Sequence, residues 1–333
     1  MSKIAFLLTL LVTALICLLP AAPAQAQVAR TFVSATGSDS NNCANVATPC
    51  RHFQTAVNAT AEGGEVDALD PANYGSFTVS QAITINGQGW SYVTPQSNGA
   101  AITINANSGD NVVIRGVLLD GAGTTSFNGI VFNSGGNLTV TDCVAQNFTF
   151  NGTSGGDGIL IQPTSGAMTF VITNTIVTND TSGGIVYAPP RFSTATANGV
   201  IDRVVATNNF IGIAFQTTIG GGTTTGSISN SVVGNSSADG ISIQNNGSPS
   251  GAALAVSIDN TSSTGNAGSG VLAAVKATVI LGRSVITANS SSGLRNLTGP
   301  NTVFSYQDNR INGNGTSSAD DINGASPNPY TFK

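Results

Sequence analysis

The stretch that decides the fold is GILIQPTSGAMTFVITNTIVTNDTSG, residues 158–183, after which Gly184 begins the same pattern again. Each period opens with a glycine followed by alternating apolar residues, and the opening recurs every 23 to 30 residues. Such a period is the signature of a repeat architecture in which stacked copies share one core. The best copies are Gly129-Ile130-Val131-Phe132, Gly158-Ile159-Leu160-Ile161, Gly184-Ile185-Val186-Tyr187, Gly212-Ile213-Ala214-Phe215, Gly240-Ile241-Ser242-Ile243 and Gly270-Val271-Leu272-Ala273.

A second pattern recurs within each period. An apolar residue is followed two positions later by a residue that favours a turn, and an Asn comes four to six positions after that turn residue. Ile172-Thr173-Asn174 with Asn179 is one example, and Ile201-Asp202-Arg203 with Asn208 is the next. Asn tolerates the left-handed backbone region, so this column predicts a bend in every coil. Strands of about four residues between such bends stack about 4.8 Å apart. We therefore predict an all-β fold, a right-handed parallel β-helix of about nine coils.

The beginning of the chain reads as an export signal. Lys3 precedes an apolar run over residues 4–19, and Ala24-Gln25-Ala26 resembles a signal-peptidase site. The run is shorter than the roughly 20 residues that a membrane-spanning helix needs. We expect a signal peptide over residues 1–26, an N-terminal strand, disulfide loop and cap helix over 27–64, and the β-helix over 65–333. The expected location is secreted, periplasmic or on the cell surface.

The composition excludes several classes of partner. Only 27 of 333 residues are charged, the sum of 11 basic and 16 acidic side chains, and the formal net charge is −5. Coiled coils need dense charge and nucleic-acid binders need a basic face, so both classes are excluded. With 40% hydrophobic residues the chain still has enough apolar material for a core.

Two features of residues 27–64 predict a cap on the first coil. Cys43 and Cys50 lie seven residues apart in a chain expected to enter an oxidising compartment, which predicts a local disulfide. Residues 51–60 place Phe53, Ala56 and Val57 at helical spacing, which predicts a short amphipathic helix.

The N-terminal region also resembles a known superfamily. The matching segments are Thr31-Phe32-Val33-Ser34-Ala35-Thr36-Gly37-Ser38-Asp39, Thr48-Pro49-Cys50, Gly63-Gly64-Glu65-Val66 and Leu69-Asp70-Pro71. They resemble the opening of bacterial secreted right-handed β-helix proteins of the pectin-lyase-like superfamily. The resemblance implies the fold for nearly all of the mature chain. It does not imply one activity, because that superfamily includes lyases, hydrolases, epimerases and adhesins.

Catalytic sets implied by the resemblance are incomplete. Polygalacturonase-like sites combine clustered Asp with His, but the sole histidine, His52, falls in the predicted cap. Asp157 and Asp239 precede repeat glycines three coils apart, roughly 14 Å, which is too far for an acid–base pair. Asp157 and Asp180 remain as candidate Ca²⁺ ligands of a pectate-lyase-like site. No Arg falls near them as a base, and Arg295 lies five coils away.

A candidate ligand surface follows the post-glycine strands. Amides of Gln162, Gln216 and Gln244 form a column that Ala188 interrupts, with Tyr187 and Arg191 beside it. Amides and an occasional aromatic ring can bind sugar hydroxyls without charge, although an amide column can equally be an ordinary ladder that stabilises the stack. The outward positions next to it are mostly apolar, so either loops of the chain or another protein should cover them.

Three functions remain open from the sequence. The first is non-catalytic recognition of a polysaccharide or another cell-surface component at Gln162, Tyr187, Arg191, Gln216 and Gln244. The second is a Ca²⁺-dependent polysaccharide lyase or other carbohydrate-active enzyme that uses Asp157 and Asp180. The third is an adhesin or structural homo-oligomer that assembles through the apolar strand face.

Overall fold

A computed structural model describes residues 27–95, 99–121, 128–152, 155–217, 222–246, 253–299, 302–317 and 320–330. The expected signal peptide, residues 1–26, lies outside these ranges. Short strands stack in parallel ladders through about ten turns, so the predicted parallel β-helix is confirmed, with one turn more than the nine expected.

Sheet 1 contains the strands that carry or adjoin the repeat glycines. Neighbouring coils pair in parallel and in register, so that Ile130, Ile159, Ile185, Ile213 and Ile241 form one column. The strands in chain order are Phe77–Val79, Ala100–Asn105, Asn128–Ser134, Asp157–Ile161, Gly183–Tyr187, Ile211–Thr217, Ile241–Asn245, Val271–Ala274, Leu294–Asn296 and Ile322–Gly324.

The other two walls of the helix begin as one ladder of long strands: Val28–Val33, Thr60–Ala68, Ile83–Val93 and Asn111–Asp120. The last of these pairs with two shorter strands, and from there the ladder divides. Sheet 2 continues with Asn137–Thr141, Ala167–Thr173, Thr196–Asp202, Thr224–Ser229, Leu254–Asp259, Thr278–Gly282, Val303–Ser305 and Asn328–Pro329. Sheet 3 comprises Val144–Gln146, Ile176–Thr178, Val205–Thr207, Val232–Gly234, Ser262–Thr264, Val285–Thr287 and Arg310–Asn312.

Asparagine makes the bends, as the sequence predicts. Asn174 bends the chain between sheets 2 and 3 with φ 48°, and Asn179 does so between sheets 3 and 1 with φ 61°. The later Asn of each period, which the sequence analysis treated as one column, occupies two adjacent columns in the structure. Asn179 and Asn208 take the bend itself, whereas Asn266 and Asn289 occupy the next position, which is buried. This second column forms a hydrogen-bonded ladder inside the turn.

The interior of the helix is a continuous apolar core. Side chains alternate along each strand, so the repeat isoleucine and the residue two places later both point inward. The second of these positions includes rings in the middle coils. The rings of Phe170, Tyr187 and Phe215 form a triangle, with pairs of centroids 5.9 to 6.1 Å apart.

The N-terminal cap contains the predicted helix and disulfide. Helix α1, Phe53–Ala59, buries Phe53, Ala56 and Val57. Cys43 and Cys50 are joined by a disulfide, and both backbones hydrogen-bond to Phe32 of the first strand. In the ranges that the structure describes, no helix has the length and hydropathy needed to cross a membrane.

Candidate functional site

The amide column, defined here as Asn133, Gln162, Ala188, Gln216 and Gln244, follows the inward residues at the carboxyl end of the sheet 1 strands. Gln162 donates from Nε2 to Oδ1 of Asn133 at 2.9 Å, and Asn133 donates in turn to Oδ1 of Asn105. The sequence predicted the three glutamines but not Asn133. This end of the column is an ordinary side-chain ladder.

The other end of the amide column differs, because its amides are not joined to each other. Gln244 donates to Oγ of Ser242 at 2.7 Å, and Gln216 makes no side-chain hydrogen bond to the described part of the chain. Between Gln162 and Gln216 stands the half-buried methyl group of Ala188. Because coils stack about 4.8 Å apart, the two amides lie roughly 9.6 Å apart across this gap. The gap therefore has free amide hydrogen-bonding groups on its Gln216 side.

Tyr187 does not belong to this surface, and the expectation that it lines a ligand site is wrong. Its side chain is only 1% exposed, and its hydroxyl accepts a hydrogen bond from Oγ1 of Thr224. Ile185 points inward, and alternation places the residue two positions later on the same side. Burial raises the pKa of the Tyr187 hydroxyl, as expected for a core residue.

Arg191 lies on an exposed turn that follows Ala188 along the chain. The backbone N–H of Ser193 donates to the carbonyl of Pro190, which closes a four-residue turn around Arg191 and Phe192. The Arg191 guanidinium lies 4.9 Å from the centroid of the Phe192 ring. The two side chains thus form a cation–π pair in the turn that follows Ala188 along the chain.

Phe192 was missed by the sequence analysis, and its conformation is unusual. Its φ is 68°, at the third position of the turn where Gly or Asn is the rule, and its side chain is 67% exposed. A left-handed non-glycine residue costs about 1–3 kcal/mol, and such strain is concentrated at functional sites. Periodicity carries no signal for it, because the residue lies in an irregular turn.

The opposite edge of sheet 1 also presents aromatic rings. Phe150 and Phe210 are both exposed, in the turns that lead into sheet 1. The backbone N–H of Phe210 donates to the carbonyl of Asp180, which fixes this turn to the preceding coil. Exposed rings therefore flank the outer face of sheet 1 on both sides.

The outward positions between these edges differ in burial. Val131, Ala214, Ser242 and Leu272 are buried in the isolated chain, whereas Leu160 and Val186 are half-buried. The chain itself therefore covers part of this face, and the coils of Gln162 and Ala188 are the ones it covers less.

Asp157 and Asp180 lie in neighbouring coils, as the sequence predicted, but their carboxyl groups serve the backbone. Asp157 is 7% exposed, and its Oδ1 accepts a 2.8 Å hydrogen bond from the backbone N–H of Gly183. Burial raises the pKa of Asp157 to about 6, against hydrogen bonds from Ser182 and Gly183 that lower it.

Asp180 occupies a position in the buried Asn ladder. Its backbone N–H donates to Oδ1 of Asn209, and its own Oδ1 accepts from the backbone N–H of Phe148. The side chain is 1% exposed, and its Oδ2 has no hydrogen-bond partner. Burial, with a smaller contribution from the nearby Asp157, raises the pKa of Asp180 to about 9, against the hydrogen bond from Phe148 that lowers it. At neutral pH Asp180 is therefore a protonated, uncharged acid.

These two residues do not form a convincing Ca²⁺ site. Calcium takes six to eight oxygen ligands with carboxylates in their ionised form. Over the described ranges, no three His, Cys, Asp or Glu side chains lie together in a metal-binding group. Both carboxyl groups are buried, and Oδ1 of each accepts a backbone hydrogen bond, from Gly183 and from Phe148, so the geometry lends no support to the expected Ca²⁺ site.

The remaining charged candidates lie apart. Asp239 accepts from the backbone N–H of Ser269, so it serves its bend, and Arg295 is exposed on a late strand of sheet 1. His52 lies at the start of helix α1, where its Nδ1 is 2.5 Å from Oδ2 of Asp39. None of them is brought to Asp157 or to the amide column.

Comparisons with known proteins found similar solved structures but no matching family. No family model matches the chain, and no curated protein matches it. Pectate lyase Pel9A is 15% identical over 92% of this chain and 80% of its own, with TM-score 0.46. The A-module of the Azotobacter vinelandii mannuronan C-5 epimerase AlgE6 is 17% identical over 84% and 91%, also with TM-score 0.46. The AlgE4 A-module is 13% identical over 81% and 87%, with TM-score 0.43. Likeness at this level concerns fold alone; the strand ladders themselves confirm the parallel β-helix that the pectin-lyase-like resemblance implies.

Proposed function

We propose that this chain is an exported β-helix protein that binds a polysaccharide at the Ala188 gap of the amide column and catalyses no reaction on it. The observation that carries the proposal is the combination of the free Gln216 amide with the exposed, strained Phe192. The disulfide between Cys43 and Cys50 supports export, because such bonds persist in oxidising compartments.

The gap suits a sugar ring in size and chemistry. Two coil steps, roughly 9.6 Å, leave room for a pyranose between Gln162 and Gln216. Each amide has both donor and acceptor atoms, so one glutamine can bond two hydroxyl groups. We assign to Phe192, exposed in the turn that follows Ala188, the apolar face for the sugar ring, and its fixed turn reduces the ordering entropy lost on binding.

The proposal favours binding over catalysis because of the carboxyl groups. A glycoside hydrolase needs two carboxyls that face the same bond, and a lyase site of the expected kind needs ionised metal ligands. Asp157 and Asp180 are buried, and one oxygen of each accepts a backbone hydrogen bond, from Gly183 and from Phe148. Neither residue lies in the amide column.

Binding can be tested with a glycan array and polysaccharide pull-downs, comparing the wild type with Gln216→Ala. We expect at least one glycan to bind, and binding to fall about tenfold in the variant, the equivalent of about 1.4 kcal/mol. Asn198→Ala is the matched control, since it removes an exposed amide from sheet 2 rather than from the amide column. Equal binding by wild type and Gln216→Ala would sink the site assignment.

Self-association is a second candidate that a separate observation favours. On the outer face of sheet 3, Ile176, Val205 and Val232 stack in register and remain 42%, 38% and 44% exposed. This moves the proposed assembly surface from sheet 1, where the sequence analysis put it, to sheet 3. Light scattering tests it: a mass equal to a single chain would reject a homo-oligomer.

A further inference from the structure

The outer face of sheet 1 carries little charge near the amide column. From the coil of Gln162 to that of Gln244, all outward strand positions are described and none is charged; two charged residues, Asp157 and Asp239, stand directly before a repeat glycine. Both are acidic, and each accepts a backbone hydrogen bond, from Gly183 and Ser269. No basic side chain lies on this part of the face.

One cation adjoins the site, and it is already engaged. Arg191 stacks on Phe192, with 4.9 Å from the guanidinium carbon to the ring centroid. A polyuronate would bring a carboxylate with every sugar, whereas the site offers one guanidinium. The whole chain also carries a formal charge of −5, which repels a polyanion at long range. Desolvating carboxylates against amides and a phenyl ring costs free energy that one exposed cation does not offset.

We infer that the polysaccharide bound at the Ala188 gap is uncharged, a polymer of neutral sugars rather than of uronic acids. This inference rests on the proposed function, since it names the ligand class of the same site. Neutral sugars present hydroxyl groups to Gln162 and Gln216 and an apolar ring face to Phe192. Uncharged amides and aromatic rings match those two features without any ion pair.

Affinity electrophoresis separates the two classes of ligand. The probes are laminarin, dextran and mannan as neutral polymers, and polygalacturonate and alginate as acidic ones, each at low and at physiological ionic strength. We expect retardation by at least one neutral polymer, unchanged by salt, and none by either acidic polymer. Stronger retardation by an acidic polymer, weakening with salt, would overturn the neutral class while leaving polysaccharide binding intact. Retardation by no polymer would overturn the proposed function itself.

Two variants separate aromatic from ionic recognition at the same turn. Arg191→Gln removes the charge, and Phe192→Asn removes the ring while Asn tolerates the left-handed backbone. For a neutral ligand we expect Phe192→Asn to weaken binding about tenfold and Arg191→Gln less than about twofold. The opposite order of losses would overturn the inference. Equal melting temperatures of the two variants and the wild type, or higher ones, show that folding is not the cause.

Discussion

Oδ2 of Asp180 lies over Gly158 in the place that asparagine Nδ2 takes over the repeat glycine in other coils. A Cβ built on Gly158 would stand 2.6 Å from this oxygen. The same 2.6 Å separates a Cβ on Gly184 from Nδ2 of Asn209, and the later coils of Gly240, Gly270 and Gly293 repeat it. Asp180 is thus a protonated substitute for the ladder asparagine, and the repeat glycine exists because this side chain packs on its Cα.

Asp180→Asn should make the protein less sensitive to alkaline pH. The pKa of Asp180 is about 9 in the folded chain, against about 3.9 for an exposed Asp. The folded state therefore holds the proton more tightly, and stability falls as pH rises from about 4 towards about 9. The variant keeps a neutral side chain whose Nδ2 donates to the Ala145 carbonyl, as Asn209 does to Val177.

The measurement is the free energy of urea unfolding at about pH 5 and at about pH 8. From the lower to the higher pH, we expect the unfolding free energy of Asp180→Asn to rise relative to that of the wild type by more than about 1 kcal/mol. This is the free energy that corresponds to one pKa unit. Asp142→Asn is the control, since Asp142 is exposed at a bend. If the difference in unfolding free energy between variant and wild type does not change with pH, Asp180 is ionised in the folded chain.

Gly184→Ala should destabilise the β-helix. Its Cβ would lie 2.6 Å from Nδ2 of Asn209 and 2.7 Å from the carbonyl oxygen of Gly212, and neither atom is the end of a flexible side chain. Overpacking of this kind costs about 1–3 kcal/mol. Gly109→Ala is the control, because nothing lies within 4 Å of its Cβ. Thermal unfolding followed by circular dichroism should show a lower midpoint for Gly184→Ala alone; a shared midpoint would contradict the packing account.

Phe192→Asn should separate stability from binding. Asn relieves the positive φ of 68°, worth about 1 kcal/mol or more, while the lost ring weakens glycan binding. We expect a melting temperature equal to or above that of the wild type together with reduced retention on polysaccharide. A lower melting temperature would mean that the ring is needed for folding rather than for ligand.

Removing the disulfide should loosen the N-terminal cap. Cys43→Ser with Cys50→Ser opens a loop of eight residues, which costs about 2–3 kcal/mol on the chain-entropy account. Cys143→Ser is the control, because Cys143 stands in a buried column that Ser231 and Ser284 also occupy. The free energy of urea unfolding should fall for the double variant and not for Cys143→Ser. An equal fall in both variants would argue against a stabilising role for the disulfide.

The repeat period predicted the residues of the stacked strands, but it did not predict the conformation of the turns between them. Spacing of the repeat glycines was enough to place the inward isoleucine column and the stacked glutamines. The same alternation, followed two residues beyond Ile185, already puts Tyr187 inside, so that error was avoidable. The sequence also contains the signal for the buried Asn ladder. Asn208-Asn209 aligns with Asn179-Asp180, which places Asp180 at the buried position that follows the bend.

Phe192 and the free state of Gln216 could not be read from the sequence. The turn of Phe192 follows from its packing on the previous coil, where Ser193 donates to the carbonyl of Pro163. Whether a glutamine bonds its ladder neighbour depends on the residues one coil away: Ala188 offers Gln216 no amide on one side, and Gln244 on the other side donates to Ser242 instead. Both features depend on contacts between neighbouring coils, and the repeat period of the sequence does not specify those contacts.

The most direct test of the account is to fill the gap. Ala188→Gln restores the amide column between Gln162 and Gln216, at a position whose neighbours in register already carry that residue, so the fold should tolerate it. The measurement is the dissociation constant for the polysaccharide that the wild type binds best, with thermal unfolding run in parallel. The account predicts at least about a tenfold loss of affinity with an unchanged melting temperature. Unchanged affinity in a folded Ala188→Gln protein would contradict it.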